Sequence, residues 1–84
     1  MIVVYMKATY EELGAPAAGR EGGHPLTIVS RDDALTFDAV TQATLVIDEA
    51  VNEALCADLM QRAGAYWIDG AGGLNVDPNW TEES

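Results

Sequence analysis

The stretch ATLVIDEAVNEALCADLMQRAG, residues 43–64, decides how this chain folds, because it carries a strand pattern and a helix pattern with no glycine or proline between them. Thr44, Leu45, Val46 and Ile47 form a β-branched, strand-like run. From residue 49 the period changes. Val51, Leu55, Leu59 and Ala63 recur at four-residue spacing with Cys56 and Met60 beside them, which makes one apolar stripe, and Gly64 supplies a stop. Ala50, Ala54 and Ala57 lie nearly opposite. The spacing predicts a main amphipathic helix over 49–63, while residues 41–48 read either as a strand or as the approach to that helix. A single striped helix needs a second layer to cover it, so the expected class is α+β, a small antiparallel sheet with this helix packed on it.

Working outward, residues 2–8 (IVVYMKA) read as a strand, and as an interior one because its start is apolar on both faces. Thr9 and Glu12 have capping-box spacing, which suits one helical turn closed by Gly14 and Pro16. Residues 14–25 (GAPAAGREGGHP) read as a mobile loop, a candidate for function. Residues 26–30 (LTIVS) and 34–40 (ALTFDAV) read as two strands of a hairpin turned by Arg31, Asp32 and Asp33, with Leu35, Phe37 and Ala39 on one face. A competing reading makes Ser30 and Asp33 a helix N-cap box. At the far end, residues 66–69 (YWID), the tetrad 70–73 (GAGG) and residues 74–76 (LNV) form a terminal hairpin. The organisation is one acidic domain over 1–78 and an acidic tail over 79–84.

With 84 residues, 49% of them hydrophobic, the chain has material for one core and no more. A domain of this size buries only roughly 60% of the surface its unfolded form exposes, so a partner or self-association is plausible support. The charge is lopsided: 14 acidic residues against Lys7, Arg20, Arg31 and Arg62 give a formal net charge of −10 and a pI near 4.1. Nucleic acid and anionic membranes are bound through Lys and Arg, so both are excluded as direct partners. Such a field steers the protein toward basic surfaces, which are commonest on proteins that themselves bind nucleic acid. No apolar run is long enough for a membrane span, and the short apolar start has no basic residues before it, so the expected location is cytoplasmic.

Chemistry-bearing motifs are sparse. Cys56 is the single cysteine and His24 the single histidine, too few for a closed zinc site, and nothing in their spacing makes them a nucleophile and base. The tetrad Gly70 to Gly73 lacks the Lys-Ser or Lys-Thr of a phosphate loop and reads as a turn. Asp69, Asn75 and Asp77 are oxygen donors of the kind calcium favours, without the spacing of an EF-hand loop. Adjacent carboxylates such as Glu11 with Glu12 and Asp32 with Asp33 are what an acidic surface produces by chance. No catalytic residue, metal or cofactor is expected.

The candidate site is therefore a binding surface. Glu49 and Glu53 stand about 6 Å apart along the helix axis, and Asp48 and Asp58 bracket them. Like charges at that spacing weaken an isolated helix, so the row asks for another use. Trp80, in the acidic tail, is an aromatic of the kind that anchors interfaces, whereas Trp67 is expected in the core. In composition alone the chain is similar to small acidic proteins that mimic nucleic acid, such as phage-encoded inhibitors of host nucleases and of CRISPR complexes. The expected function is a non-enzymatic inhibitor or regulator that occupies a basic protein surface through Asp48, Glu49, Glu53, Asp58 and Trp80. The alternative is an assembly module that self-associates, as a homodimer, through the alanine stripe or a sheet edge; a small enzyme is a distant third.

Overall fold

Val3 and Val4 are neighbours in the chain and point to opposite faces of strand β1 (Ile2–Met6), yet both are fully buried. That two-sided burial places β1 inside the sheet. In the computed structural model, which describes residues 1–15, 18–32 and 35–77, β1 runs between β2 (His24–Ser30) and β3 (Gln42–Val46). Two short strands, β4 (Tyr66–Ile68) and β5 (Leu74–Val76), extend the sheet on the β2 side, giving the order β3-β1-β2-β4-β5 with every neighbour antiparallel. One short helix, α1 (Glu53–Gln61), and a 3-10 turn at Ala63–Ala65 lead into β4. The class is mixed α and β, as expected, but the curled five-stranded sheet dominates and the helix is minor.

The curl has a local cause. Val4 pairs with Ile28 and Tyr5 with Leu26, so Thr27 is an extra residue that bends β2, and its hydroxyl donates to the Val4 carbonyl at 3.1 Å. The start of β2, His24 and Pro25, pairs with β4 instead. Val3, Ile47, Cys56, Leu59, Ala65 and Tyr66 form the buried cluster on the helix side, and Leu26, Val29, Leu45, Leu55 and Leu74 pack around it.

Three expectations need correction. Described residues 35–40 form no strand, and residues 33–34 lie outside the described residues, so the hairpin over 26–40 is absent. Asp38 prevents it. Its carbonyl accepts the Thr41 and Gln42 N–H groups at 3.2 and 2.8 Å and its carboxylate the Val40 N–H at 3.0 Å, a local turn that competes with a ladder. The chain from β2 instead crosses to the far side of β1, and the strand is Gln42–Val46, within the segment left open on sequence. The helix over 49–63 shortens to Glu53–Gln61, because Ile47 still pairs with Met1 and the following residues are used to reverse the chain. Val51 and Met60, expected on the core face, are 77% and 49% exposed, while Cys56 and Leu59 are fully buried.

Other readings hold. The terminal hairpin forms, with Tyr66 and Ile68 buried on one side of β4 and Trp67 alternating to the other. Thr9 and Glu12 make the reciprocal capping box, N–H to carboxylate at 3.1 Å and N–H to hydroxyl at 3.2 Å. The glycine-rich loop, expected over 14–25, ends at Gly23 because His24 and Pro25 already pair with β4 as the start of β2; residues 16–17 lie outside the described residues, and the loop is tied down at its far end. Arg20, only 9% exposed, donates to the Tyr10 hydroxyl at 3.1 Å, to the Gly64 carbonyl at 3.3 Å and to the Asp77 carboxylate at 3.2 Å.

Gly23 sits directly against the Trp67 indole. A Cβ there would lie 2.5 Å from the Trp67 ring and 2.8 Å from the Arg20 carbonyl oxygen, and the backbone contact cannot be relieved by a rotamer change. Gly23→Ala is therefore expected to destabilise the fold by about 1–3 kcal/mol, whereas Gly70→Ala, whose Cβ meets only the Gly22 carbonyl at 3.8 Å, should cost little. Thermal unfolding of both variants checks this, and equal midpoints would contradict the close approach.

Candidate functional site

The segment from the end of β3 to the start of α1 brings three of the expected acidic residues together. Asp48 is exposed and shapes the bend: its carboxylate accepts the Ala50 N–H at 2.9 Å, and its carbonyl accepts the Asn52 side-chain amide at 3.0 Å. Glu49 pairs with Arg31 at 2.8 Å. Glu53 is exposed in the first turn of α1, where the helix dipole favours a carboxylate. Exposed Val51 lies among them, so the surface alternates carboxylate and hydrocarbon.

Asp58 is placed differently. Its two carboxylate oxygens accept from the Arg62 guanidinium at 2.7 Å each, a bidentate pair one helical turn long, and the Tyr66 hydroxyl also donates to it. The residue thus ties α1 to β4, and the row on the helix is compensated at this end by Arg62. The four-residue spacing of Asp58 and Arg62 was the readable signal for the pair. Trp80 lies outside the described residues.

Every basic side chain of the protein is engaged internally. Arg20 pairs with Asp77, Arg31 with Glu49 and Arg62 with Asp58, while Lys7 donates to the Ala39 carbonyl at 2.9 Å. Arg20, Arg31 and Lys7 link separate parts of the fold, while the Arg62 pair is local to the end of α1. The carboxylates in excess over these three pairs define the electrostatic character of the outer surface.

A cleft of about 240 Å³ is lined by Tyr5, Lys7, His24, Ile68, Asp69 and Gly70 among others. Lys7, His24 and Asp69 of its lining are held by other parts of the protein. Lys7 holds Ala39, the His24 ring nitrogen lies 3.2 Å from the Ala8 carbonyl, and the Asp69 carboxylate accepts from the Ala71 and Gly73 N–H groups and from Asn75. Those bonds, Asn75 first, hold the Asp69 carboxyl below its ordinary range. Asp69 and Asn75 therefore build the turn of the terminal hairpin, and Asp77 faces Arg20 instead of joining them. Among the described residues no three His, Cys, Asp or Glu side chains converge as metal ligands. Cys56 is sealed in the helix-side core, while His24 lines the cleft, so the structure does not bring them together.

The Asp58 site has a pH signature. The Arg62 guanidinium, and after it the Tyr66 hydroxyl, hold the Asp58 carboxyl at about 2 against an ordinary 3.8. A depressed folded-state value contributes stability that is full above the unfolded value and lost as pH falls through the folded one. Wild-type stability should therefore fall from about pH 4 to about pH 2, and Asp58→Asn should flatten that part of the profile. Denaturant midpoints taken across this window check it; a variant profile parallel to wild type would refute the assignment.

Comparison with protein-family models, with curated proteins and with solved structures finds no match to this chain.

Proposed function

We propose that this protein is a non-enzymatic cytoplasmic binding protein, an inhibitor or regulator that occupies a basic surface on a nucleic-acid-binding protein and so stands in for the nucleic acid. The observation that carries the reading is the internal use of all four Lys and Arg side chains in a molecule of formal charge −10. Its own cations are committed to holding the fold, so the charge that answers the surplus carboxylates is that of a partner. Asp48, Glu49 and Glu53, on one continuous segment with exposed Val51, form the binding surface, and the hydrocarbon supplies contact area that charge alone lacks. Trp80 of the tail adds an aromatic anchor. Asp58 supports the surface from behind by fixing α1 to β4. Self-association is the weaker reading, because two copies would each bring the same excess of negative charge to the contact.

A Glu49→Lys, Glu53→Lys double variant tests this. Each reversal adds +2, so the formal charge moves from −10 to −6. Glu49→Lys removes the pairs with the exposed Arg31 and, at 3.9 Å, with the buried Met1 ammonium, so thermal unfolding of the double variant accompanies the binding measurement. Titration calorimetry with the partner captured from the native host, at low and high salt, should show at least about tenfold weaker binding and a shallower salt dependence. An unchanged affinity and salt slope would remove this surface from consideration.

A further inference from the structure

We infer that the outer edge of β3, which has no strand neighbour among the described residues, receives an extended, basic segment of the partner as a sixth strand of the sheet. The inference rests on the reading of the protein as a binder of basic surfaces and specifies the contact. Three backbone bonds fix which groups of β3 face outward. Met1 and Ile47 exchange N–H to carbonyl bonds at 2.8 Å in both directions, and the Lys7 N–H donates to the Thr41 carbonyl at 2.9 Å. The register between β1 and β3 is unbroken from Ile2 opposite Val46 to Met6 opposite Gln42. Residues 41, 43, 45 and 47 therefore bond to β1, and the N–H and carbonyl groups of Thr44 and Val46 point away from it. The Gln42 N–H, next in that outward row, is taken by the Asp38 carbonyl at 2.8 Å, so the open edge begins at the Gln42 carbonyl.

Proteins normally blunt such an edge with lysine, proline or a bulge. Strand β3, QATLV, has none of these, whereas the opposite edge strand β5 has only three residues. What stands at the two ends of β3 is acidic: Asp38 before it and Asp48 after it, both exposed. Val46 is 72% exposed and shares a sheet face with Ile28, 37% exposed, through the pairs Ile2 with Val46 and Val4 with both Thr44 and Ile28. An added strand lays a side chain beside Val46 and covers it. The matching segment is thus β-branched or apolar in the middle and basic at its ends. A second copy of this chain does not fit that description, since it would bring acidic ends to acidic ends.

The probe is a blocked, fluorescent octapeptide with two lysines at each end and an alternating valine–threonine centre, titrated with the full chain and followed by anisotropy. Binding is expected to weaken by about tenfold with Thr44→Pro, which deletes an outward N–H and leaves the β1 ladder intact. N-methylating the peptide amides that face β3 should weaken it equally at unchanged charge and with the protein unaltered. A peptide with glutamates for lysines should not bind. Thermal unfolding reports whether the proline variant is folded, and the methylated peptide decides the question if it is not. Equal binding of the methylated peptide overturns the edge while leaving the charge reading standing. Absence of binding by the parent peptide overturns the edge as well, and the charge reading is then judged by the double reversal on the whole partner. Sedimentation showing a wild-type dimer that Thr44→Pro abolishes assigns the edge to a second copy and overturns the basic occupant.

Discussion

Because Val3 and Val4 are both removed from water on opposite faces of one strand, the chain has to cover both sides of β1, and much of the topology follows from that demand. One side is met by the helix-side cluster of Cys56, Leu59 and Ile47. A strand buried in this way is also the natural one to flank on both edges, and the segments available for it are β2, reached by the long glycine-rich return, and β3, reached by crossing over β1. Fully burying a valine is worth about 1.5–3 kcal/mol relative to leaving it exposed, so the two side chains weigh heavily in a domain whose whole stability is of that order or a few times more. The cost of the arrangement is a long crossover and two outer strands, β3 and β5, each with a single strand neighbour among the described residues.

An 84-residue chain with one cysteine has neither a large core nor a disulfide to hold such connections, and its four cations take over part of that role. Arg20 fastens the glycine-rich loop to the 3-10 turn and to the end of β5 in one step, Arg62 holds the Asp58 carboxylate that the Tyr66 hydroxyl joins to β4, and Arg31 fastens the start of the crossover to the bend after β3. Arg20 is nearly buried, and deleting one partner of a buried pair leaves the other charge uncompensated, which is why its loop is held and not merely adjacent. The surface consequence is chemical. Cations committed to stapling are not on offer outside, and the same economy of lysine and arginine that stabilises the fold leaves its exterior anionic.

What could be read in the sequence was the part set by local pattern. β1 announced itself by an apolar start on both faces, the last hairpin by alternation around a glycine tetrad, and the turn after β1 by the spacing of Thr9 and Glu12. The errors arose where a short polar side chain redirected the backbone. Leu35, Phe37 and Ala39 alternate like a strand, but Asp38 captures the N–H groups of Val40, Thr41 and Gln42 within a turn. Val51 has helical spacing to Leu55, but Asp48 and Asn52 close the bend in which it lies, and α1 starts only at Glu53. Neither capture shows in hydrophobic periodicity. The acidic segment was legible as charge, whereas the separate duty of Asp58 depended on Tyr66, eight residues on and brought near by the fold. The open edge of β3 was not legible either, because it depends on which strand becomes the neighbour of β1.

The edge and the charge belong to one physical problem. An unblunted β-strand edge is a template for any extended chain, and the most abundant extended chain near a protein is another copy of itself. Most proteins answer with an inward lysine or a proline on the edge strand, which closes it to every comer. Here the discrimination is left to electrostatics. Asp38 and Asp48 flank β3, so a second copy aligned parallel or antiparallel sets a carboxylate against a carboxylate at both ends, and like charges directly opposite one another destabilise a strand pair. At physiological salt the screening length is about 8 Å, so this selection acts only when the strands are nearly in contact, where register is chosen. If the proposed occupant is right, net charge does what a blunting residue would do against self-pairing without closing the edge to a chain of the opposite sign.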